Sequence, residues 1–527
     1  MLKRLLFGGS LLVAAVALFL SQWTIKPPTQ YTPSVLGRNN TVLFIVNFEF
    51  GLSNVHLATA HALLERHPEV HIHFASFPLT APRVERISKH GRSMTPSAPE
   101  IVFHELPGQH MFARAMAAAG KTISNMLHPP GRASIDKVGK DLAFYVAPWS
   151  GEAHFALYQQ LTEIIDEVDP SLVILDIFCR PGLDAARNRG RLHAFIVPNI
   201  PIDVFPQHQP YAGWLWKYPV MGSGIPYPIP WSRVLENIYI NMRYYRILSS
   251  MPHFKAGQKF LESKGLDRIT YSDLYRSNVP FFIQGLTEAS IPLDVIPPNV
   301  TYTGPMSLSL STVEEVSPDL SQWLARAPTL LINLGSIFAW SEDLATAMAQ
   351  AVADILIERA DLQVLWKFRK TDKELGGVPY GDEFMTPVLP FLENGRLKIV
   401  PWIPVEPTSL FETGHIIASV NHGGAGCFNE ALGTGIPQIV LPQWLDHYSI
   451  AQSARYIGVG VWACQETSPA FTAKCLHDAF FTVLNNNKTA IPLREKARQI
   501  GEIAQRDPGR YVAAREISKL AASGHGA

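Results

Sequence analysis

Cysteine is scarce in this chain: four in 527 residues, at Cys179, Cys427, Cys464 and Cys475. No pair is spaced C-x-x-C and no Cys/His set has zinc spacing, so neither a redox dithiol nor a zinc module is encoded. Buried free thiols are the plain expectation; a Cys464–Cys475 bridge would need an oxidising compartment, and spacing does not fix it. Net charge is also missing, with 45 Lys+Arg against 45 Asp+Glu. That balance gives no electrostatic footprint for nucleic acid. Short repeats and low-complexity tracts are absent, which excludes a solenoid. No acidic cluster suits a divalent cation, and His110, His128 and His154 lack the spacing of metal ligands.

What is present is apolar and proline-rich: 47% hydrophobic residues and 41 prolines, many beside aromatics. The length is too great for one ordinary core, so two domains are expected. Residues 1–25 stand apart. Lys3 and Arg4 precede an uncharged run from Leu5 to Ile25 with the core "LLFGGSLLVAAVALFL". It is just long enough to cross a bilayer. We read it as an uncleaved single-pass anchor, with a signal peptide as the rival reading. The basic flank predicts a body in the lumen of the endoplasmic reticulum. Glycosylation triplets at Asn39, Asn299 and Asn487 are compatible with that side.

Beyond a polar tether the chain alternates short β-branched runs with helical spacing. "TVLFIVNF", "VHIHFASF", "PSLVILDIF" and "LHAFIVPN" read as strands, and "SNVHLATAHALLERH" and "GLDAARNRG" as helices between them. That grammar predicts a parallel α/β domain over 40–290. Residues 291–325 have linker chemistry. The grammar restarts with "TLLINLGSI", "LQVLWKFR", "LKIVPWI" and "HIIASVNHGG", predicting a second domain over 326–495 and a helical segment over 496–527. Two Rossmann-like halves imply a cleft at the carboxyl ends of their strands.

The stretch "VNHGGAGCFNEALGTGIPQIVLPQWLDH" concentrates chemistry at that cleft. Gly423, Gly424 and Gly426 permit a tight turn and close approach of backbone to ligand. A helix starting near Cys427 aims free N–H groups at the mouth, a ready anion site. His422 adds a donor to the same anion, and Glu430 offers a carboxylate to a sugar diol. Asp446 and His447 follow at the end of the next strand.

These residues resemble the donor box of the family 1 UDP-dependent glycosyltransferases, the UDP-glucosyl/glucuronosyltransferase type. The matching positions are Trp402-Ile403-Pro404, His422, Gly424, Glu430, Gly435-Ile436-Pro437 and Asp446-His447, with "NLGS" ending at Ser336. The resemblance implies a GT-B fold, two Rossmann-like domains facing a cleft. It implies Trp402 stacked on uracil, Glu430 on the ribose, and His422, Ser336 and the helix N-terminus around Gly426 and Cys427 on the diphosphate. Asp446 and His447 would meet the sugar. Fixed N–H donors stabilise the departing diphosphate, so no metal or other cofactor is expected beside the UDP-sugar.

Two positions depart from the family pattern. The closing residue is His447 where the family usually has Gln, which leaves the sugar open between glucose, the default, and another hexose. The family's general base, a His after a Gly at the end of the first strand, aligns with Leu52. Its partner Asp aligns with Asp176. His56, one helical turn on, is the first replacement considered; Glu49 and Asp176 itself are the others. The implied activity is inverting transfer of a hexose to a hydroxyl of a small lipophilic acceptor of sterol, terpenoid or polyketide type. The aromatic, proline-rich stretch from Pro198 to Trp231 would wall the acceptor pocket or touch the bilayer. A catalytically impaired homologue that binds a UDP-sugar or scaffolds a partner enzyme is the alternative that Leu52 favours.

Overall fold

The computed structural model describes residues 35–266 and 274–525. The Leu5–Ile25 run lies outside the described residues. Among those described, no helix is long and apolar enough to cross a membrane.

Seven parallel strands form the first sheet: β1 (Arg38–Ile45), β2 (His71–Ser76), β3 (Val102–Glu105), β4 (Pro170–Asp176), β5 (His193–Val197), β6 (Phe281–Ile283) and β7 (Val300–Tyr302). Their order is β3-β2-β1-β4-β5-β6-β7. Both faces are covered, so the central strands are unbroken apolar runs rather than alternating ones. On one face Phe44 and Ile174 pack under the helix Phe50–Arg66 and the distant helix Gly509–Ala521. On the other, Ile45 and Leu175 pack under the helices Gly151–Val168 and Arg180–Asn188.

The second sheet has six parallel strands: β8 (Thr329–Asn333), β9 (Gln363–Lys367), β10 (Leu397–Val400), β11 (Ile416–Asn421), β12 (Gln438–Val440) and β13 (Gly460–Trp462). Their order is β10-β9-β8-β11-β12-β13. Each sheet therefore reverses direction once, between β1 and β4 and between β8 and β11. At such a switch point the connections leave to opposite sides and open a crevice at the carboxyl edge.

Three features differ from expectation. β7 lies inside the stretch that reads as linker; a three-residue edge strand flanked by prolines is too short to show a pattern. The helix Ala490–Arg506 runs through the expected boundary at 495, and the helix Gly509–Ala521 returns to the first sheet. There the Ser171 hydroxyl donates to the carbonyl of Ala521 at 2.8 Å. The third is the Cys464–Cys475 disulfide. Cys179 and Cys427 remain free thiols.

Candidate active site

The second switch point is built from a repeated device. β8 and β11 are paired in register so that Asn333 and Asn421 lie side by side at their ends. Each asparagine turns its side-chain oxygen back onto a backbone N–H two residues on, Gly335 at 3.1 Å and Gly423 at 2.9 Å. Both glycines have left-handed backbone, with φ +85° and +80°. Side-chain turns of this kind favour glycine because no Cβ opposes them. The His422 ring is wedged between Gly335 and Gly424, where an added Cβ on either would meet it at 2.5 Å.

The helix after β11 spans Ala425–Thr434, starting two residues earlier than the sequence suggests. Gly426 lies within its first turn, where an added Cβ would meet nothing within 4 Å. It therefore leaves the helix N-terminus accessible rather than making the turn. Glu430 is buried at 8% exposure, and burial lifts its pKa to about 7 against the pull of Lys367. Burial also pushes the Cys427 thiol up to about 12, so it is no nucleophile. His422 is lowered to about 3 by burial and by Lys367, so its ring is neutral rather than cationic.

Lys367, at the end of β9, is the cation that sequence reading missed. Its ammonium donates to the Gly335 carbonyl at 2.8 Å and sits 3.9 Å above the ring of Trp402. Burial brings its pKa down to about 8. It shares a cavity with Ser336, Arg369 and Trp402, whose indole is 49% exposed. The signal was its position at the carboxyl end of a strand beside the switch point.

Asp446 is the first residue of the helix Asp446–Ile457, not the end of β12. A loop of five residues intervenes because β12 stops at Val440. Burial raises Asp446 to about 6, while backbone N–H groups at the helix start oppose the rise. His447 is buried against His422, 4.5 Å between ring centroids, and against Trp444 at 4.3 Å. Asp203, also missed, is raised well above its ordinary range, first by burial and then by Asp446. The strained turn at Leu445, φ +31°, is held from the other domain, since its N–H donates to His128 Nε2 at 3.0 Å.

At the first switch point the structure separates the expected pair. Asp176 is 1% exposed and accepts from the backbone of Asn47 at 3.2 Å, its amide at 3.0 Å and the backbone of Phe178 at 2.9 Å. Burial nonetheless raises it to about 6. His56 does not join it. The ring is 0% exposed, set edge-on to Phe44, and its Nδ1–H donates to the Leu52 carbonyl of its own helix at 2.9 Å. Burial lowers its pKa to about 4 despite the carbonyls of Leu52 and Leu175. The reason is local: the helix dives under the sheet after its first turn, so a residue one turn beyond Leu52 faces the core. Glu49 does stand at the strand mouth. One of its oxygens accepts from His110 Nδ1 at 2.6 Å and from the backbone of Phe112 at 2.5 Å. Among the described residues, no three His, Cys, Asp or Glu side chains converge as a metal site requires.

Two Rossmann-like parallel sheets, each with one switch point at its carboxyl edge, define the GT-B architecture of glycosyltransferases. The comparisons agree. Residues 389–518 match the family model "Erythromycin biosynthesis protein CIII-like, C-terminal domain". The glycosyltransferase sdnJ of Sordaria araneosa is 31% identical over 506 residues, 91% of this chain and 98% of that protein. The mouse 2-hydroxyacylsphingosine 1-beta-galactosyltransferase is 26% identical over 41% of this chain and 34% of its own length. Phytolacca americana UGT2, solved with UDP-2-fluoro-glucose and pterostilbene, shares the fold at a TM-score of 0.58. It is 14% identical, covering 92% of this chain and 99% of that one. The chain belongs to the UDP-glycosyltransferase family and is a glycosyltransferase enzyme.

Proposed function

We propose that the protein transfers a hexose, glucose by default, from its UDP-sugar to a hydroxyl of a small lipophilic alcohol, inverting the anomeric carbon. The observation that carries this reading is the donor half-site, where Trp402, Lys367, Ser336, His422 and Glu430 meet around one helix start. In this reading uracil stacks on Trp402 and the ribose diol bonds Glu430. The diphosphate takes Lys367, His422 and the free N–H groups near Gly426, which stabilise the leaving charge. Asp446 and His447 meet the sugar. One relative is named for galactosyl transfer to a 2-hydroxyacylsphingosine, and a structural neighbour is complexed with pterostilbene; both are lipophilic hydroxyl compounds. The test is UDP release by the full chain across a panel of UDP-sugars with a lipophilic alcohol mixture. Acceptor-dependent release that falls at least tenfold in His422→Ala is expected. Turnover only with soluble sugars or peptides would sink the acceptor class, and no turnover with any UDP-sugar would sink the transfer.

The body is further proposed to lie in the lumen behind the N-terminal apolar segment. The Cys464–Cys475 bridge supports an oxidising compartment. Of the three triplets, Asn299 is engaged, its amide donating to the carbonyls of Arg276 at 3.1 Å and Val279 at 2.6 Å. Asn39 and Asn487 are the proposed glycan carriers. A glycosidase-sensitive mobility shift, lost in the Asn39→Gln/Asn487→Gln double variant, is expected. Digestion of the body by protease added to intact microsomes would place it on the other side.

A further inference from the structure

The acceptor side of the cleft has no histidine where the family pattern asks for one: Leu52 stands there, His56 is sealed in the core, and Asp176 is buried and already accepts from three N–H groups. The mouth of the first sheet nevertheless holds an imidazole, brought in from another loop. The geometry points to His110 as the general base of the transfer, with Glu49 as the carboxylate that positions it. This assignment rests on the transferase reading above.

The arrangement has the parts of a base relay. His110 Nδ1–H donates to Glu49 Oε1 at 2.6 Å, which fixes the tautomer and leaves Nε2 with a bare lone pair. Among the described residues nothing bonds Nε2. The His110 side chain is 23% exposed and that of Glu49 only 9%, so the imidazole stands in front and the carboxylate behind it. Glu49 is itself held by the Phe112 backbone N–H. The imidazole packs against Phe48 at 4.8 Å between centroids and Phe77 at 6.5 Å. A line of rings joins it to the donor site, Phe48 to Phe50 at 6.1 Å and Phe50 to Trp402 at 5.6 Å. The pKa of the Tyr145 hydroxyl is pushed up by burial first and then by Asp141, Asp446 and Glu49.

The step balances within the proposed reaction. The acceptor oxygen forms a bond to the anomeric carbon as its O–H proton passes to His110 Nε2. The bond from that carbon to the diphosphate oxygen breaks, and its electron pair leaves with UDP. Glu49 stabilises the imidazolium until the proton is lost to water.

The experiment uses the full chain and two readouts, calorimetric titration with UDP and acceptor-dependent UDP release. His110→Gln should lower kcat by roughly 10²- to 10⁴-fold, the scale of a lost general base, with UDP affinity within twofold of wild type. Glu49→Gln should lower kcat at least tenfold with the donor KM unchanged, and Glu49→Asp should recover part of the loss. A His110→Gln protein that binds UDP normally and keeps kcat within threefold overturns the base and leaves the transferase standing. One that no longer binds UDP also counts against the assignment, because the role would then be structural. A wild type that binds no UDP, or moves no sugar from any donor, overturns the transferase reading and the base with it.

Discussion

Replacing Gly335 by alanine is expected to weaken UDP-sugar binding about 30-fold or more. Two effects add at one atom. The residue has φ +85°, a left-handed conformation that costs an alanine roughly 1–2 kcal/mol. Its new Cβ would also stand 2.5 Å from His422 Cε1 and 2.6 Å from Nε2. Neither side has room to yield. The turn is pinned by Asn333 and by Lys367, and the ring is boxed by Gly424 and His447. The strain therefore falls on the groups proposed to face the diphosphate. About 2 kcal/mol lost there corresponds to roughly 30-fold in Kd. Calorimetric titration with UDP-glucose, beside a thermal melt, reads both parts. Affinity within threefold of wild type would mean that the Gly335 turn and His422 do not touch the donor.

Donor affinity should also depend on pH, with a plateau between about 7 and 8. Glu430, raised to about 7 by burial, has no side-chain hydrogen bond to the described residues. An ionised carboxylate offers a separate acceptor oxygen to each ribose hydroxyl, whereas protonation turns one of the two oxygens into a donor and weakens the pairing. Affinity is thus full above the free pKa and falls as pH drops through it, by up to about tenfold per unit. Lys367 sets the other edge. Lowered to about 8 by burial, it is charged below that value and loses its attraction for the diphosphate above it. UDP-glucose is the proper ligand, because the terminal phosphate of free UDP titrates in the same range. Glu430→Gln should remove the acid limb and cost roughly 10- to 100-fold, the worth of a hydrogen-bonded charge. Lys367→Met should remove the alkaline limb. A flat profile in wild type would place the ribose and phosphates elsewhere.

The proposed donor half is legible in the sequence because it is contiguous. His422, Glu430 and Asp446 lie within one strand–helix–strand passage, so their spacing carries the geometry. Even there, errors came from element ends. Asp446 reads as the end of a strand because the loop before it is apolar, and Gly426 as part of a turn because it follows two other glycines. Lys367 sits in an ordinary-looking strand, and only its partner Trp402, thirty-five positions on, gives it meaning. On the proposed base side Glu49 is legible beside Leu52, but His110 is not, for a stronger reason. Glu49 and His110 are separated by 61 residues and two strands, and no local period links them. His56 looked better in sequence because helical spacing set it beside Leu52, but spacing does not say where a helix begins to pass under its sheet.

The helix Gly509–Ala521 has a consequence for how the protein is made. It supplies Ala513, Ala514, Ile517 and Ala521 to the core of the first domain, and its Ala521 carbonyl is held by a residue 350 positions earlier. The ribosome releases chain vectorially, at roughly 5–20 residues per second. The first domain to emerge therefore waits tens of seconds for its covering helix, while the second sheet is still being synthesised. During that interval the apolar face carrying Phe44 and Ile174 lacks part of its cover and is a natural client for a chaperone. The second sheet takes no strand from the first domain, but its face at Val440, Tyr448 and Trp462 packs against Ile200, Ile202, Tyr218 and Ile291, so it closes on a surface already synthesised.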